Sequence, residues 1–272
     1  MAPEPASAAT TELTITKYAA DRTTIIDQVT VDYHWLENPA NIDVMGDGET
    51  RYYHQGPVFI DEPADVPEEL EKIRWNEEED QNWFEKDMGA VKGNNLMDLC
   101  ELAGGMEEGD EVQIKGADGF NYTFGYENVY NYDPNREGPM VLCWYKDEQY
   151  PDSGYADGMR LVWFAASTYK DKDKVVDPDE IVPGEYHVFG NWDWHQAAEQ
   201  KYWYYYQGKY PTTTGLSVQK VAYINIYSNE TVLTSPDLNA DTESNQIGQA
   251  VDITFTDDED WRTAISRITV NG

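Results

Sequence analysis

The stretch from residue 91 to residue 165 constrains the fold of this chain most. It opens as VKGNNLMDLCELAGG, where Leu96, Leu99 and Leu102 fall on one helical face and Gly104-Gly105 ends the pattern. The spacing predicts a helix over 94–102. EVQIK then alternates as a half-buried strand, and Asp118-Gly119 offers a turn. GPMVLCWYKDE and YADGMRLVWFA follow, both rich in Val, Leu and Trp, and LSVQKVAYINIY at 216–227 supplies another alternating strand. A period near 3.6 that gives way to a period of 2 predicts an α+β chain with few short helices.

The flanking segments fit that class. Residues 1–10 read as a flexible tail. Residues 13–35 read as strand, turn and strand, with the turn at Ala20-Asp21-Arg22 and with Val29, Val31, Tyr33 and Trp35 alternating. Asp47-Gly48 marks a turn, and 52–59 reads as a short aromatic strand that Pro57 ends or places at an edge. Residues 61–88 form an acidic, Pro-punctuated insert: a short helix begins at Pro67 and a loop carries Trp75, Trp83 and Phe84. Residues 166–186 read as a charged surface loop. Asp193 is placed to cap a helix over 194–201, and the Tyr run after it has strand propensity.

Composition excludes several functions. The 272 residues carry 52 acidic and 19 basic side chains, a net charge of −33. Such a surface repels nucleic-acid phosphates and anionic lipid, so neither is an expected partner. Apolar residues at 40% still suffice for a core. No segment has the length and apolarity of a membrane-spanning helix. The opening MAPEPASAATT has no basic start and no apolar run, so it reads as the beginning of a mature exported chain with a Met added. Two sequons, at Asn121 and Asn229, agree with export.

Candidate chemistry is sparse. Cys100 and Cys143 both sit in apolar contexts, which reads as two buried thiols; a disulfide between them is the sharper alternative. His34, His54, His187 and His195 form no metal motif, although His195 and Glu199 lie four apart. Asp171, Asp173, Asp177, Asp179 and Glu180, and the run 257–260, are oxygen-rich. Neither has the spacing of an EF-hand, so any calcium there would be loosely held. No nucleophile elbow, phosphate loop or dinucleotide fingerprint is present. Trp192, Trp194, the run 202–206 and Tyr210 form an aromatic cluster that reads mainly as core filler.

The middle of the chain resembles the molybdopterin-binding domain of the sulfite oxidase family. The matching words are the helix at 93–104, the VQIKGADGF segment, the GMRLV strand and SVQKVAYI. The resemblance implies a mixed-sheet domain over 11–228. In that family a Cys thiolate before the helix holds molybdenum. Here no Cys precedes Val91, and between Thr50 and Lys92 only Arg51, Lys72, Arg74 and Lys86 are basic. The fold is therefore expected without the cofactor. YYHQGP, GNWDWH and YPTTTGLSV, taken together with this middle, resemble a family of exported proteins in methanogenic archaea. From residue 229 the character changes, and GQAVDITFTDDEDWRTAISRITVNG resembles the opening of the haemoglobin-interacting domain found in bacterial surface haem receptors. That resemblance implies the first part of a β-sandwich-like module over 229–272, cut at a hairpin turn. Its Val251, Ile253 and Phe255 are expected inward on a strand, covered by Trp261, Ala264 and Ile265 on a helix with an acidic first turn. Cut there, the segment is expected to bind nothing by itself. Residues 228–272 contain no His, Met or Tyr, so axial ligation of haem from this half is not expected.

These readings lead to a non-catalytic extracellular protein of an S-layer, sheath or other envelope structure. Its expected partners are other copies or other envelope proteins. The alternative is a small-ligand-binding protein for a sugar, a haem-like compound or a metal chelate. Its cleft would be lined by His54, Trp75, Trp83, Trp192 and His195. A third reading, an oxidoreductase, would need Cys143 as a ligand.

Overall fold

The computed structural model describes residues 9–59, 72, 74–76, 82–168, 186–232, 239–240 and 253–264. Most of the expected tail and of the acidic insert lie outside the described residues. So do the charged loop from 169 to 185, Val251, Ile265 and the final strand and turn at 268–272. The fold is α+β, with mixed sheets and few short helices. The chain divides into two compact units, Met1–Asn229 and Glu230–Gly272.

The first unit opens with β1 (Glu12–Tyr18) and β2 (Ile25–Asp32), an antiparallel pair. Asp21 organises the turn between them: it accepts from the Thr24 hydroxyl at 2.6 Å and from the Thr23 and Thr24 amides at 2.8 Å. These donors hold its pKa down at about 2. The strand expected through Trp35 stops at Asp32. That side chain accepts from the Trp35 amide at 2.8 Å and caps a single helical turn, α1 (Tyr33–Leu36). Tyr33 and Leu36, three apart, are the residues it buries.

β3 (Arg51–His54) is buried from Tyr52 onward. β4 (Asp87–Asn95) fills a stretch that reads as loop and helix start in the sequence. Its residues are mostly Gly, Ala and Asn, yet nearly all are buried because β3 and β7 (Met140–Lys146) flank it closely. A Cβ on Gly93 would run into the Leu142 carbonyl across the β4–β7 pair. Gly93→Ala is therefore expected to cost about 2–3 kcal/mol, as overpacking does. A urea melt with an unshifted midpoint would contradict that close approach.

Asn95 ends β4 and caps α2 (Leu96–Glu101), accepting from the Met97 amide at 3.1 Å. The hairpin of β5 (Glu111–Gly116) and β6 (Asn121–Gly125) turns at Asp118-Gly119, as expected, and runs into α3 (Tyr126–Tyr130). After β7 come β8 (Arg160–Trp163), β9 (Ser167–Thr168), β10 (Tyr186–Phe189) and α4 (Asn191–Ala197). The Tyr run forms only a two-residue pairing of β11 (Tyr205–Tyr206) with β12 (Tyr210–Pro211), before β13 (Val221–Tyr227).

One sheet has the order β2-β1-β13-β5-β6 and the other β8-β7-β4-β3-β10-β9. Each is mixed: β1 with β13 and β3 with β10 are parallel pairs, and the rest are antiparallel. The main core takes Leu13 and Ile15 of β1, Ile224 and Ile226 of β13, and Val112 and Ile114 of β5. From the other sheet it takes Leu142 and Trp144 of β7 and Leu161 and Trp163 of β8, with Leu96, Leu99 and Cys100 of α2. Alternation sends Val141, Cys143 and Val162 to a second cluster with Tyr52, Met88, Val91 and Phe164.

Away from the core, the two middle rows of the first sheet's outward face carry one charged side chain, Lys115, while Glu12, Asp32 and Glu111 lie in the rows on either side. Thr30, Thr14, Tyr223, Lys115 and Asn121 align across its strands. Gln28, Thr16, Asn225, Gln113 and Thr123 form the next row. Neighbours along the rows are joined: Thr14 and Thr30 hydroxyls at 3.0 Å, Gln28 to Thr16 at 2.9 Å, Gln113 to Asn121 at 3.2 Å and Asn225 to Gln113 at 3.3 Å.

In the second unit β14 (Asn239–Ala240) pairs antiparallel with β15 (Ile253–Thr254). Asp258 accepts from the Trp261 amide at 2.9 Å at the start of α5 (Glu259–Ala264), whose first turn carries Glu259 and Asp260. Trp261 packs edge-on against Phe255 at 5.2 Å. Ala264, expected to help cover the strand, is exposed instead.

Candidate functional site

The five side chains of the expected cleft do not share one cavity. His54, on β3, is fully buried between Trp163 and Phe189, with ring centroids at 5.7 and 5.3 Å. Its Nε2 accepts from the Trp163 amide at 3.3 Å. Burial, assisted by the Arg160 charge, pushes its pKa down to about 3, so the imidazole is neutral. Trp83 is buried elsewhere, among Tyr53, Phe84 and Tyr186. Trp192 is half-buried on α4.

Trp75 and His195 do meet, at 4.6 Å between centroids, and Trp203 completes the cluster at 4.9 Å from Trp75 and 4.4 Å from His195. Only about 10 Å³ of open space lies between Trp75, Trp203 and the chain at 211–213, room for one water at most. The cleft expected from the sequence is thus a packed aromatic contact. Trp203 lies outside the expected cleft, and its place in the aromatic run 202–206 is the one sequence signal that points to it.

The three phrases YYHQGP, GNWDWH and YPTTTGLSV converge on one buried network. The Gln55 carbonyl accepts from the Thr213 and Thr214 amides at 3.0 and 3.2 Å and from the Thr212 hydroxyl at 3.0 Å. Gln55 Oε1 accepts from the Asn191 amide at 2.7 Å, and Asn191 Nδ2 donates to the Pro211 carbonyl at 3.0 Å. Thr213 closes the ring by donating to the Phe189 carbonyl at 2.8 Å. The phrases thus hold β3, α4 and the chain after β12 together.

The cysteines are both free and fully buried, which corrects the disulfide alternative. Cys100 faces the main core from α2, whereas Cys143 points to the opposite side of β7, into the second cluster. Burial raises both thiols well above their ordinary range. Cys143, enclosed by apolar neighbours, is not placed to act as a metal ligand or nucleophile.

α4 ends at Ala197 and Ala198 is extended, so His195 and Glu199 do not share a helix face. Asp258 is occupied as the cap of α5, and Asp257 pairs with Arg262 at 2.6 Å. Asp171, Asp173, Asp177, Asp179 and Glu180 lie outside the described residues. Among the described residues no group of three or more His, Cys, Asp and Glu side chains is arranged to hold a metal.

An open cleft of about 560 Å³ lies between the start of β5, α3 and the end of α4. Glu108, Asp110, Glu127 and Glu199 give it an acidic lining, with Lys201 and Tyr202 at one side. Its polar groups are largely engaged. Asp110 accepts from the Glu107 and Asn229 amides, both at 2.9 Å, and Asn128 ties Gly125 to the Ala197 carbonyl. Both sequon residues, Asn121 on the edge strand β6 and Asn229 at the end of the first unit, are exposed.

No helix among the described residues is long and apolar enough to cross a membrane. No curated protein matches the chain. Residues 238–272 match the family model described as heme-binding protein Shr-like, Hb-interacting domain.

Proposed function

We propose that this chain is a non-catalytic extracellular protein of the cell surface that works by adhesive contact within the envelope. The single observation that carries the reading is the match of residues 238–272 to a domain described as interacting with haemoglobin. A segment of that kind makes contacts rather than performing chemistry. The strongly acidic composition supports a setting where like-charged neighbours must stay dispersed. In this reading the first unit is a degenerate molybdopterin-type fold without a resident cofactor. Its partners are other copies or other envelope proteins, and Asn121 and Asn229 are where N-linked glycans would be carried. The enclosure of Cys143 supports the loss of metal chemistry. Elemental analysis of protein produced with ample molybdate is the test. The reading expects only trace molybdenum, and one equivalent per chain would overturn it.

A second reading concerns the partner. Against the expectation that residues 229–272 bind nothing by themselves, the same match favours a haem protein, bound through its protein surface. Residues 228–272 supply no His, Met or Tyr to ligate iron, so the haem spectrum should not change on binding. Titration of the full chain with haemoglobin should give saturable binding with an unshifted Soret band. Trp261→Ala, which removes the packing on Phe255, should weaken that binding. An absence of binding, or transfer of haem to the chain, would reject this reading.

A further inference from the structure

We propose that the outward face of the first sheet binds a neutral polysaccharide, seated in a groove beside the start of β1. The groove measures about 360 Å³ and is lined by Thr11, Glu12, Thr14, Thr30 and Tyr223 among others. That volume lies within the roughly 300–1,000 Å³ of small-ligand pockets.

The chemistry of the lining selects the ligand class. Tyr223 is 44% exposed, and its ring is the natural surface for the C–H face of a sugar. Lys115 lies over that ring at 5.8 Å, steadying it from the β5 side, while the groove lies on the β1 side. Thr14 and Thr30 share one hydrogen bond at 3.0 Å, which leaves the pair with further donor and acceptor capacity. Glu12, the one carboxylate in the lining, can accept from two neighbouring sugar hydroxyls. Thr10 is committed elsewhere, donating to the Val221 carbonyl at 2.8 Å.

Charge decides between polymers. A chain of net charge −33 repels an acidic polysaccharide. A cationic polymer would find one carboxylate in the groove, Glu12, and none in the two middle rows, where Lys115 would repel it. A protein partner would seek an apolar centre, and Tyr223 is the one large ring in these rows. What remains is a hydrogen-bonded array of hydroxyls and amides, with Thr16 buried within it, that runs from the groove across β13 to β5 over about 14 Å, at about 4.8 Å per strand spacing, and stops short of the Asn121 sequon. That array matches a neutral, hydroxyl-rich polymer. The proposal does not rest on the reading of residues 238–272.

The test is affinity electrophoresis of the full chain in gels containing dextran, mannan, laminarin or, as the acidic control, alginate. At least one neutral polymer should retard the chain, and alginate should not. Tyr223→Ala should lower the apparent affinity about tenfold, the loss of one contact worth about one decade. Tyr223→Phe, which keeps the ring, should retain binding. Thr30→Ala, on a different strand and exposed, should weaken it severalfold, and it decides the matter if Tyr223→Ala proves unstable. Haemoglobin titrations of the same variants should match the unaltered chain, which separates this site from the second unit. Retardation by no neutral polymer, retardation by alginate alone, or full binding by well-folded Tyr223→Ala and Thr30→Ala would each overturn the proposal.

Discussion

Replacing Asn94 with alanine is expected to remove about 2–5 kcal/mol of stability, a large share of the 5–15 kcal/mol typical of a folded domain. Asn94 is fully buried on β4. Its Nδ2 donates to the Leu36 carbonyl at 3.1 Å and to the Asp43 carbonyl at 2.9 Å, and its Oδ1 accepts from Trp144 Nε1 at 2.8 Å. One side chain thereby ties α1, the loop after it and β7 to the centre of the second sheet. Alanine leaves the Leu36 carbonyl and the Trp144 indole in the core without partners, and an unmade buried hydrogen bond costs more than a made one contributes. Urea unfolding should show a much lower midpoint with an unchanged slope. A shift worth less than 1 kcal/mol would mean that water reaches these groups and that β4 is not the tightly enclosed strand described.

The second large effect is a loss of stability in mild acid that depends on His54. Its pKa falls from an ordinary 6.5 to about 3 in the fold, chiefly through burial and then through Arg160. Between those values the unfolded chain binds a proton that the folded chain refuses. The stability linked to His54 is therefore complete above pH 6.5 and declines as the pH falls toward 3. At 1.36 kcal/mol per pKa unit, the loss reaches about 2 kcal/mol by pH 5, before most carboxylates titrate. His54→Phe keeps a ring between Trp163 and Phe189 and removes the titration. Its stability should be lower overall, through loss of the bond from the Trp163 amide, but flatter between pH 7 and 5. Parallel pH profiles for the two proteins would show that His54 titrates normally and is not enclosed.

What the sequence made legible follows from side-chain size. β5, β6 and β13 alternate large apolar residues with polar ones, β7 and β8 are near-continuous apolar runs, and α2 carries Leu at helical spacing, so their existence could be read directly. β4 could not be read, because it is buried by the closeness of its neighbours and not by its own bulk. Gly93 and Asn94 look like turn residues until β7 lies against them. β2 ends short of the alternating pattern for a local reason: Asp32 offers its carboxylate to the Trp35 amide, and capping prevails over alternation there. The candidate cleft failed for a non-local one. His54, Trp83 and Trp192 lie within short aromatic phrases, and nothing in such a phrase says which of two sheet clusters a side chain will join. The convergence of YYHQGP, GNWDWH and YPTTTGLSV depends on the parallel pairing of β3 with β10, a contact across more than a hundred residues.

The most direct test of the central claim is labelling of intact cells that carry the protein with a membrane-impermeant amine reagent, followed by mass spectrometry. A surface protein should be modified at exposed lysines, such as Lys201 at 54% side-chain exposure, to the same extent before and after lysis. Modification that appears only after the cells are broken would contradict an extracellular role.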